Sequence, residues 1–374
     1  MKFKIRKHDI LNVLSRVQGI TSRKSNLAIT ENILIQSRDN KIYIAATDLE
    51  TGFEGNYVSD IESDGIITIN SKRIYEIVKN FPNDEINIEE LNNKMLKIGN
   101  ESVLYHILGL NADDFPEIPK VDEDVTFISL NSNGLKQMIE KTIMIHASSE
   151  EKRAHILGVK LEYIEEDNKP ILRMISTDGK RLSKADCFEI SEKFNNFENS
   201  TVLIPKKGLQ EVIKFLESEG NVKIGVKNNN FIVKKENETI IINLLEGNFP
   251  EYGDILSVGD DKIVEVEKNS FRMMLKRMSI LTSEDYKGVI FRFEDNKLTI
   301  RAANPDLGES KEDMNIQFKS TPIEVAFNPQ FFIDTLNFID KEKVILRIID
   351  DEHPCFIHGE NDKSFISVIM PMKI

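Results

Sequence analysis

Residues 9–17 read DILNVLSRV, residues 134–142 read GLKQMIEKT and residues 270–278 read SFRMMLKRM. In each stretch the apolar residues are three and four positions apart, which is typical of one face of an amphipathic helix. The three stretches are spread along the chain at similar intervals. They therefore predict three tandem repeats of one folding unit, and they favour a function that depends on arranging equal units in space.

A second helix-like segment follows in each repeat. Its apolar positions have the spacing i, i+3, i+4, i+7 of an amphipathic helix. In the first repeat these positions are Ile74, Ile77, Val78 and Phe81. The same spacing occurs at 209–216 in the second repeat and at 332–339 in the third. Each repeat is therefore predicted to contain two helices.

Between the two helices of each repeat, apolar and polar residues alternate. The alternation covers residues 41–48, 171–179 and 297–305, and each stretch ends in turn residues. This pattern predicts half-buried antiparallel strands. The expected fold class is α+β, with two helices packed on one face of an antiparallel sheet in every repeat.

A short motif closes the first two repeats, DFPE at 114–117 and NFPE at 248–251. Proline disrupts strand pairing and suits a linker. The sequence therefore predicts three domains, an N-terminal domain at 1–124, a central domain at 125–253 and a C-terminal domain at 254–374.

Composition excludes several classes of protein. The chain has 374 residues, enough for two or three domains, and only two cysteines, Cys187 and Cys355. No disulfide framework, metal-type cysteine spacing or histidine cluster occurs, so no cofactor or metal is expected. No apolar run is long enough to span a membrane, and the charged start MKFKIRK is unlike a signal peptide. A cytoplasmic location is predicted.

Charge is distributed unevenly. The chain carries a net charge of −13, yet the six helix windows (7–24, 70–82, 133–153, 205–219, 267–283 and 328–343) sum to +8, which leaves −21 elsewhere. Basic helices on an acidic body favour one surface that attracts duplex phosphates. The alternative is that these lysines lie on ordinary solvated helix faces.

Four further segments carry a family resemblance. They are the opening MKF, TDGKRL at 177–182, EGNFPEY at 246–252 and VIMPMKI at 368–374. Because these segments occur in this order in a chain with a threefold repeat, the chain resembles the bacterial DNA polymerase sliding clamp. That clamp is the beta subunit of the replicative DNA polymerase III holoenzyme. The resemblance implies a head-to-tail homodimer that forms a ring of six like domains around double-stranded DNA. It also implies a processivity function, in which the ring tethers the replicative polymerase, the clamp loader and other proteins carrying clamp-binding peptides in the nucleoid.

The resemblance also implies a hydrophobic peptide-binding pocket. Its positions in this chain are Ile156, Thr177, Gly179, Lys180, Arg181, Leu182, Pro250, Ile255, Val368, Met370, Pro371 and Met372. An apolar C-terminal segment is unusual, and methionines make adaptable walls for apolar anchors. The alternative is that this segment is only a final core strand. Lys180 and Asp254 depart from the family pattern at the rim, which puts the peptide preference in question.

Two more sets of residues follow from the resemblance. Arg23, Lys24, Lys152, Arg153 and His155 match loops that face DNA, although Glu150 and Ala154 depart from the pattern there. Tyr105, within 102–108, matches a dimer contact against Ile280 and Leu281 of the partner. Ordinary core packing is the alternative for Ile280 and Leu281.

Two other classes of function were weighed. An aspartate enzyme is suggested by Thr177-Asp178-Gly179, but the equivalent positions are Thr47-Asp48-Leu49 and Ala303-Asn304-Pro305, so a turn explains the motif better. No phosphate-loop or nucleophile-elbow motif occurs, and no catalytic residue is predicted. A repeat scaffold that does not encircle DNA is the other alternative. The basic helices argue against it, and the overall acidity argues for it.

Overall fold

The computed structural model describes residues 1–22, 27–119, 121, 125–146, 151–190, 201–256, 259, 262–282 and 287–373. The chain divides into two compact units. Unit 1 contains Met1–Asn133 and Lys207–Leu244, and unit 2 contains Gly134–Lys206 and Leu245–Ile374. The division passes through the second repeat, so the two halves of that repeat belong to different units.

The helices occur where the sequence predicts them. In the described part of the chain they are α1 (Lys7–Thr21), α2 (Ser71–Asn80), α3 (Ser132–Ile143), α4 (Ala154–Leu157), α5 (Lys206–Phe215), α6 (Gly253–Leu256), α7 (Lys268–Met278) and α8 (Pro329–Leu336). Helices α1, α3 and α7 contain the three opening stretches, and α2, α5 and α8 contain the second segments. Both predictions are confirmed, and short α4 and α6 are additional.

Side-chain caps begin several of these helices. The Asn70 side chain accepts a hydrogen bond from the backbone N–H of Arg73 at the start of α2. Glu267 caps α7 in the same way, and Asn328 caps α8, whose first residue is Pro329. Such caps satisfy backbone N–H groups that have no partner within the helix.

The strands are short and numerous. The first twelve are β1 (Lys2–Arg6), β2 (Asn32–Arg38), β3 (Lys41–Thr47), β4 (Thr51–Val58), β5 (Asp60–Ser63), β6 (Gly65–Asn70), β7 (Glu85–Glu90), β8 (Met95–Gly99), β9 (Leu104–Leu108), β10 (Ile128–Asn131), β11 (Gly158–Glu166) and β12 (Lys169–Thr177). The others are β13 (Arg181–Cys187), β14 (Thr201–Pro205), β15 (Asn221–Lys227), β16 (Asn230–Lys235), β17 (Glu238–Asn243), β18 (Lys262–Glu267), β19 (Val289–Glu294), β20 (Lys297–Asn304), β21 (Gly308–Asn315), β22 (Ile323–Phe327), β23 (Lys343–Ile348), β24 (Cys355–Gly359) and β25 (Phe365–Ile369).

Four hairpins use the same two-residue turn. The loops between β2 and β3, β11 and β12, β15 and β16, and β19 and β20 consist of Asp-Asn or Asn-Asn pairs. Both residues of each pair have positive φ, for example 51° at Asp39 and 56° at Asn40. This is the conformation of a type I′ turn, whose twist matches that of the flanking strands. The turn chemistry therefore fixes the register of these hairpins.

Unit 1 contains two antiparallel sheets. One has five strands in the order β5-β1-β7-β8-β9, and the other has eight in the order β10-β15-β16-β17-β4-β3-β2-β6. In the larger sheet β17 pairs with β4, with Ile241 opposite Gly52. A strand of the second repeat is therefore hydrogen-bonded directly to a strand of the first.

Unit 2 repeats this arrangement. Its sheets have eight strands in the order β14-β11-β12-β13-β25-β24-β23-β18 and four in the order β21-β20-β19-β22. Here β13 of the second repeat pairs with β25 of the third, with Leu182 opposite Val368. Strand β25, near the C-terminus, is thus part of a sheet that also contains strands of the preceding repeat.

The predicted α+β fold class is confirmed, but each repeat contributes strands to two sheets instead of one. In the third repeat, strands from both sheets of unit 2 contribute to one core around α7 and α8. Phe271 of α7, Phe291 of β19 and Phe332 of α8 are fully buried there and contact one another. Alternation along a strand shows which face is buried but does not show which strands pair, so the sequence did not reveal two sheets per repeat.

Candidate functional site

A cavity of about 190 Å³ lies in unit 2, where β13 and β25 meet the segment 249–255. It is lined by His155, Thr177, Gly179, Arg181, Leu182, Phe249, Pro250, Glu251, Tyr252, Ile255, Val368 and Met370. The predicted pocket residues brought together here are Thr177, Gly179, Arg181, Leu182, Pro250, Ile255, Val368 and Met370. We call this space the unit 2 cavity.

The floor of the unit 2 cavity is apolar. Leu182 and Val368 are paired across β13 and β25 and are both buried. They pack with Ile175 and Phe356 in a small cluster of their own, which is partly covered by Phe249. A buried apolar floor gains most of its binding energy by excluding water from an apolar partner group.

One wall is the tight turn between β12 and β13. The Thr177 hydroxyl accepts a hydrogen bond from Gly179 N at 3.1 Å and donates one to Arg181 O at 2.7 Å. The Asp178 carboxylate accepts bonds from the backbone N–H groups of Lys180 and Arg181 at 2.9 and 3.0 Å. Asp178 is therefore a turn residue, as predicted, and its carboxylate is occupied by the backbone.

Arg181 fixes the same wall to the rest of unit 2. Its guanidinium donates to Asp178 at 3.0 Å and to Asp334 of α8 at 2.7 Å. The same group lies 4.3 Å from the centre of the Phe331 ring. The side chain is only 6% exposed. Because a buried guanidinium needs such partners, the turn, β13 and α8 are held in one arrangement.

The opposite wall is held by Tyr252. Its hydroxyl donates to Glu162 of β11, and the Lys160 ammonium lies 4.9 Å from the ring centre. Burial, together with the Glu162 carboxylate, raises the pKa of Tyr252 above its usual range. Lys160 also forms an ion pair with Glu162 at 2.7 Å. These contacts anchor the segment that carries Phe249 and Pro250.

Two partly exposed apolar side chains form the lip of the unit 2 cavity. Met370 is 39% exposed and Ile255 of α6 is 37% exposed. Acidic Glu251 also lines the cavity, and exposed Asp254 precedes Ile255 on α6. The lip therefore combines adaptable apolar groups with a negatively charged rim.

Four predicted pocket residues lie outside this lining. Ile156 is a buried residue of α4, and Lys180 is exposed at the tip of the turn. The carbonyl of Lys180 nevertheless accepts a hydrogen bond from Met370 N at 2.9 Å. Pro371 is half-buried, and Met372 donates its backbone N–H to Ala326 O at 2.8 Å. Lys180 and Met372 thus support the site through their backbones.

Lys206 positions the helix that carries His155. Its buried ammonium donates to the carbonyl oxygens of Ile145 and Ile156, both at 2.7 Å. Burial lowers the pKa of Lys206 to about 8. One cation therefore joins the two sides of the loop between α3 and α4, and no sequence pattern predicts this contact.

The predicted DNA-facing residues fall into two groups. Arg23 and Lys24, and the departure Glu150, lie outside the described residues. Lys152 and Arg153 are exposed, whereas His155 is half-buried in the lining of the unit 2 cavity. Arg153 donates to Glu151 at 2.8 and 2.9 Å, and these hydrogen bonds lower the pKa of the Glu151 carboxyl to about 2.

The predicted dimer residues lie near sheet edges. Tyr105 is on β9, the last strand of the five-stranded sheet, and it is 38% exposed between Leu104 and His106, which are also exposed. Ile280 follows α7 and is 71% exposed, so it is not a core residue. Leu281 is partly buried against the core of the third repeat.

Comparisons with known proteins agree over the length of the chain. Family models match residues 1–119, 129–251 and 254–373, and they describe the N-terminal, central and C-terminal domains of the DNA polymerase III beta subunit. The chain is 30% identical to a putative DNA polymerase III beta subunit from Eubacterium rectale, whose crystal structure it matches with a TM-score of 0.90 and with complete coverage of both chains. The chain belongs to the DNA polymerase III beta subunit family.

Two other family members show how broad the similarity is. A beta sliding clamp from Chlamydia pneumoniae is 28% identical over 374 residues, which are 100% of this chain and 99% of that protein. A sliding clamp from Pseudomonas aeruginosa, solved bound to griselimycin, is 26% identical with a TM-score of 0.91, and both chains are fully covered. The family is one of DNA sliding clamps, which serve DNA polymerase III as processivity factors.

Each of the three matched clamp domains contains one helix of each predicted kind. They are α1 and α2, then α3 and α5, then α7 and α8. None of the helices in the described ranges is long and apolar enough to cross a membrane. Within the same ranges, no group of three or more His, Cys, Asp or Glu side chains could hold a metal ion.

Sequence reasoning missed four residues of the cavity lining. The sequence identifies Phe249, Glu251 and Tyr252 only as part of a motif, and it predicts a DNA contact for His155. The signal that could have found the first three is their position beside Pro250, in a linker that directly precedes the apolar Ile255. The contact of Tyr252 with Lys160 had no signal in the sequence, because the two residues are far apart in the chain.

Proposed function

We propose that two copies of this chain close head to tail around duplex DNA and hold replication proteins through peptides that enter the unit 2 cavity. The cavity carries this proposal, because its buried apolar floor and adaptable lip suit the binding of short linear peptides better than they suit catalysis. The partners expected are the replicative polymerase, the clamp loader and other proteins with such peptides. The proposed domains are 1–124, 125–253 and 254–374. The chain itself would have no catalytic role. It would act in the cytoplasm, at the nucleoid.

The chemistry of the cavity indicates which peptides fit. Leu182 and Val368 offer an apolar floor for one aliphatic or aromatic anchor, and Met370 can adjust to its shape. Glu251 and Asp254 give the rim on the Ile255 side a negative charge, which favours peptides with a cationic or neutral residue there. A few buried anchors then supply most of the affinity.

Contacts with DNA are proposed to be electrostatic and independent of sequence. Lys152 and Arg153 are exposed, and α7 presents half-buried Arg272 and exposed Lys276 from the equivalent first helix of the third repeat. Such side chains reach phosphates without reading bases. Because Glu151 already binds Arg153, a phosphate must compete for that guanidinium, which keeps the contact weak enough for sliding.

Ring closure is proposed to join two free sheet edges. In the described part of unit 1, β9 pairs only with β8, and in that of unit 2, β21 pairs only with β20. An exposed edge favours pairing with another chain, and a head-to-tail contact of unlike edges either closes a ring or forms a filament. Tyr105 of one copy and Ile280 and Leu281 of the other would bury their apolar side chains at this contact.

Retention on circular DNA tests encirclement. Loaded protein should remain on a covalently closed plasmid during gel filtration and should be lost when a restriction enzyme linearises the same plasmid. The measurement is the fraction of protein that elutes with DNA before and after cutting. Equal retention on both forms would refute a ring that holds DNA topologically.

A pair of methionine variants tests the peptide site. Met370→Ala removes a lip residue and should weaken binding of a polymerase-derived peptide by about tenfold, as expected for loss of an interface anchor. Met372→Ala is the matched control, because Met372 is held by its backbone outside the cavity lining. Fluorescence anisotropy with a labelled peptide measures both affinities. Equal weakening by the two variants would contradict the assignment of the cavity.

A further inference from the structure

Strand pairing between the first and second repeats continues to the end of β17. Ile241 of β17 lies opposite Gly52 of β4. Two residues further along, Asn243 N donates a hydrogen bond to Glu50 O at 2.9 Å. The strands of the two repeats therefore keep one antiparallel register over this length.

The junction between the second and third repeats has the same register. Val368 of β25 lies opposite Leu182 of β13, and Met370 N donates to Lys180 O at 2.9 Å. Both junctions therefore pair equivalent positions and end in the same hydrogen bond. A third junction of this kind, between two copies of the chain, is expected to follow the register of the other two.

Strand β9, at the edge of the five-stranded sheet, is the first-repeat equivalent of β17. Just after it, Gly109 N donates to Lys94 O at 2.8 Å, as Leu244 N after β17 donates to Asn229 O at 2.9 Å. Counting back from these two bonds, Leu108 occupies in β9 the position of the last residue of β17. The side chain of Leu108 is 63% exposed.

Strand β21, at the edge of the four-stranded sheet, is the third-repeat equivalent of β13. Ala303 lies opposite Glu309 across β20 and β21, as Thr177 lies opposite Leu182 across β12 and β13. Each of these pairs closes a turn whose next side chain accepts two backbone hydrogen bonds. Glu309 therefore occupies the position of Leu182, and Leu307, which is 64% exposed, comes two residues before it.

The register of the other two junctions brings complementary side chains together when it is applied to β9 of one copy and β21 of another. His106 lies opposite Glu309, and Leu108 lies opposite Leu307. The two leucines are among the most exposed large apolar side chains in the described ranges, and each would bury apolar area against the other. An exposed imidazole opposite an exposed carboxylate adds a polar cross-strand pair.

Neighbouring registers make poorer contacts. A slip of two residues in one direction would place His106 opposite Lys311, although Lys97 is already opposite His106 across β8 and β9. A slip in the other direction would place His106 opposite Leu307. Both slips separate the two leucines, and a slip of one residue would turn the side chains to opposite faces. The exposed side chains of the two edges thus favour the same register as the repeats do.

We propose that ring closure pairs β9 of one copy with β21 of the other in this register, with Leu108 packed against Leu307 and His106 paired with Glu309. This register rests on the head-to-tail ring proposed for the chain, and it adds the contacts that align the closing strands. The closing junction would then have a polar pair where the unit 2 cavity has its apolar floor. It would therefore not bind the same apolar peptide anchors.

Cysteine cross-linking tests the register in the full-length chain with Cys187→Ser, which removes the half-buried free cysteine. Directly opposite residues have Cα atoms about 4.5–5.5 Å apart, within the range of a disulfide, whereas positions two residues out of register lie too far apart. His106→Cys with Glu309→Cys should therefore form an interchain disulfide under mild oxidation, which non-reducing gels detect. His106→Cys with Lys311→Cys is the matched control and should cross-link at least about tenfold more slowly.

Charge exchange tests the polar pair through the Kd of the dimer, measured by sedimentation velocity on dilution. Glu309→Lys places a cation opposite His106. Because each ring has two closing junctions, a weakening of about threefold at each should raise the Kd by about tenfold. Adding His106→Glu restores opposite charges and should return the Kd to within about twofold of the wild type.

A matched pair of leucine variants tests the apolar contact. Leu108→Ser should raise the Kd of the dimer by about tenfold, because it removes an apolar anchor from both junctions. Leu49→Ser changes another exposed leucine of unit 1, in the turn between β3 and β4, and should leave the Kd unchanged.

The outcomes distinguish this register from the ring itself. The register is overturned if the 106–311 cysteine pair cross-links at least as fast as the 106–309 pair, or if the two charge variants have simply additive effects. In either case a dimer that still forms leaves the ring in place. A wild-type chain that stays monomeric at every concentration would overturn both.

Discussion

The first and second repeats contain the same turn and end in closely similar linker motifs, yet their linker residues pack in different places. In unit 1 the Thr47 hydroxyl and the Asp48 carboxylate accept backbone hydrogen bonds at 3.0, 3.0 and 2.6 Å. In unit 2, Thr177 and Asp178 accept the equivalent bonds at 3.1, 2.9 and 3.0 Å. The backbone scaffolds are therefore alike, and the difference lies in the side chains that fill them.

Two pairs of residues account for that difference. Unit 1 has Gly52 opposite Ile241, and Ile118 of the linker covers both. Unit 2 has Leu182 opposite Val368, and the linker sends Tyr252 to β11 instead. With Leu182 on β13, the linker residue lies against β11 of the same sheet, and the space beside Leu182 and Val368 is the unit 2 cavity. Different side chains at a few equivalent positions thus distinguish a filled core from a binding site.

The largest effect is expected from Arg181→Thr, which places in unit 2 the residue type that unit 1 has at the equivalent position, Thr51. Arg181→Thr removes a guanidinium that joins Asp178 to Asp334 and leaves both carboxylates short of a partner. Loss of one member of a buried ion pair should lower the free energy of unfolding by about 3 kcal/mol. Urea denaturation measures it. The same change at exposed Arg301 is the control, and equal small losses at both sites would contradict a structural role for Arg181.

The next largest effect is expected from the reverse exchange at Gly52, where unit 2 has Leu182 at the equivalent position. Gly52→Leu introduces a side chain into space held by Ile118 and should cost about 2 kcal/mol through overpacking. Adding Ile118→Ala makes room. The double variant should therefore be more stable than the sum of the single effects by at least about 1 kcal/mol. Strictly additive losses, measured by urea denaturation, would show that Ile118 and position 52 do not compete.

Much of this fold could be predicted because its elements are locally encoded. The apolar spacing located α1, α2, α3, α5, α7 and α8, and alternation located β3, β12 and β20. The pairing of β4 with β17 and of β13 with β25 could not be predicted, since it depends on contacts between residues far apart in sequence. The candidate cavity shows the same limit. Leu182 and Met370 lie in motifs that could be recognised, whereas the support from Lys160 and Lys206 exists only after folding.

The lowered pKa of Lys206 predicts how the free energy of unfolding changes with pH. It occupies the position that Ser71 occupies in unit 1, where the Ser71 hydroxyl accepts from Gln18 at 2.8 Å. Because burial lowers the pKa of Lys206 to about 8, the unfolded chain holds its proton up to a higher pH than the folded chain does. Stability due to this group should therefore be constant below about pH 8, where both states hold the proton, and should rise with pH between 8 and the ordinary lysine value.

The measurement compares wild type with Lys206→Met across that range. Between pH 7.5 and 9.5 the free energy of unfolding of the wild type should rise by about 2 kcal/mol more than that of the variant, given the lowered pKa. Comparing the two proteins cancels the titration of tyrosines and other lysines. Parallel profiles would mean that Lys206 is not titrating in this range.

The smallest effect on stability is expected at the tip of the turn. Gly179 has φ 83° and open space around its Cβ position, and Leu49 adopts nearly the same conformation with φ 78° in unit 1. Gly179→Leu should therefore fold, at a cost of about 1 kcal/mol for a left-handed non-glycine residue. Its side chain would stand at the wall of the unit 2 cavity and should weaken peptide binding, measured by anisotropy. Leu49→Gly makes the reverse exchange in unit 1 and should leave peptide affinity unchanged. If Gly179→Leu binds peptide as the wild type does, the turn does not border the bound peptide, and the difference between the repeats lies in Leu182 and the linker alone.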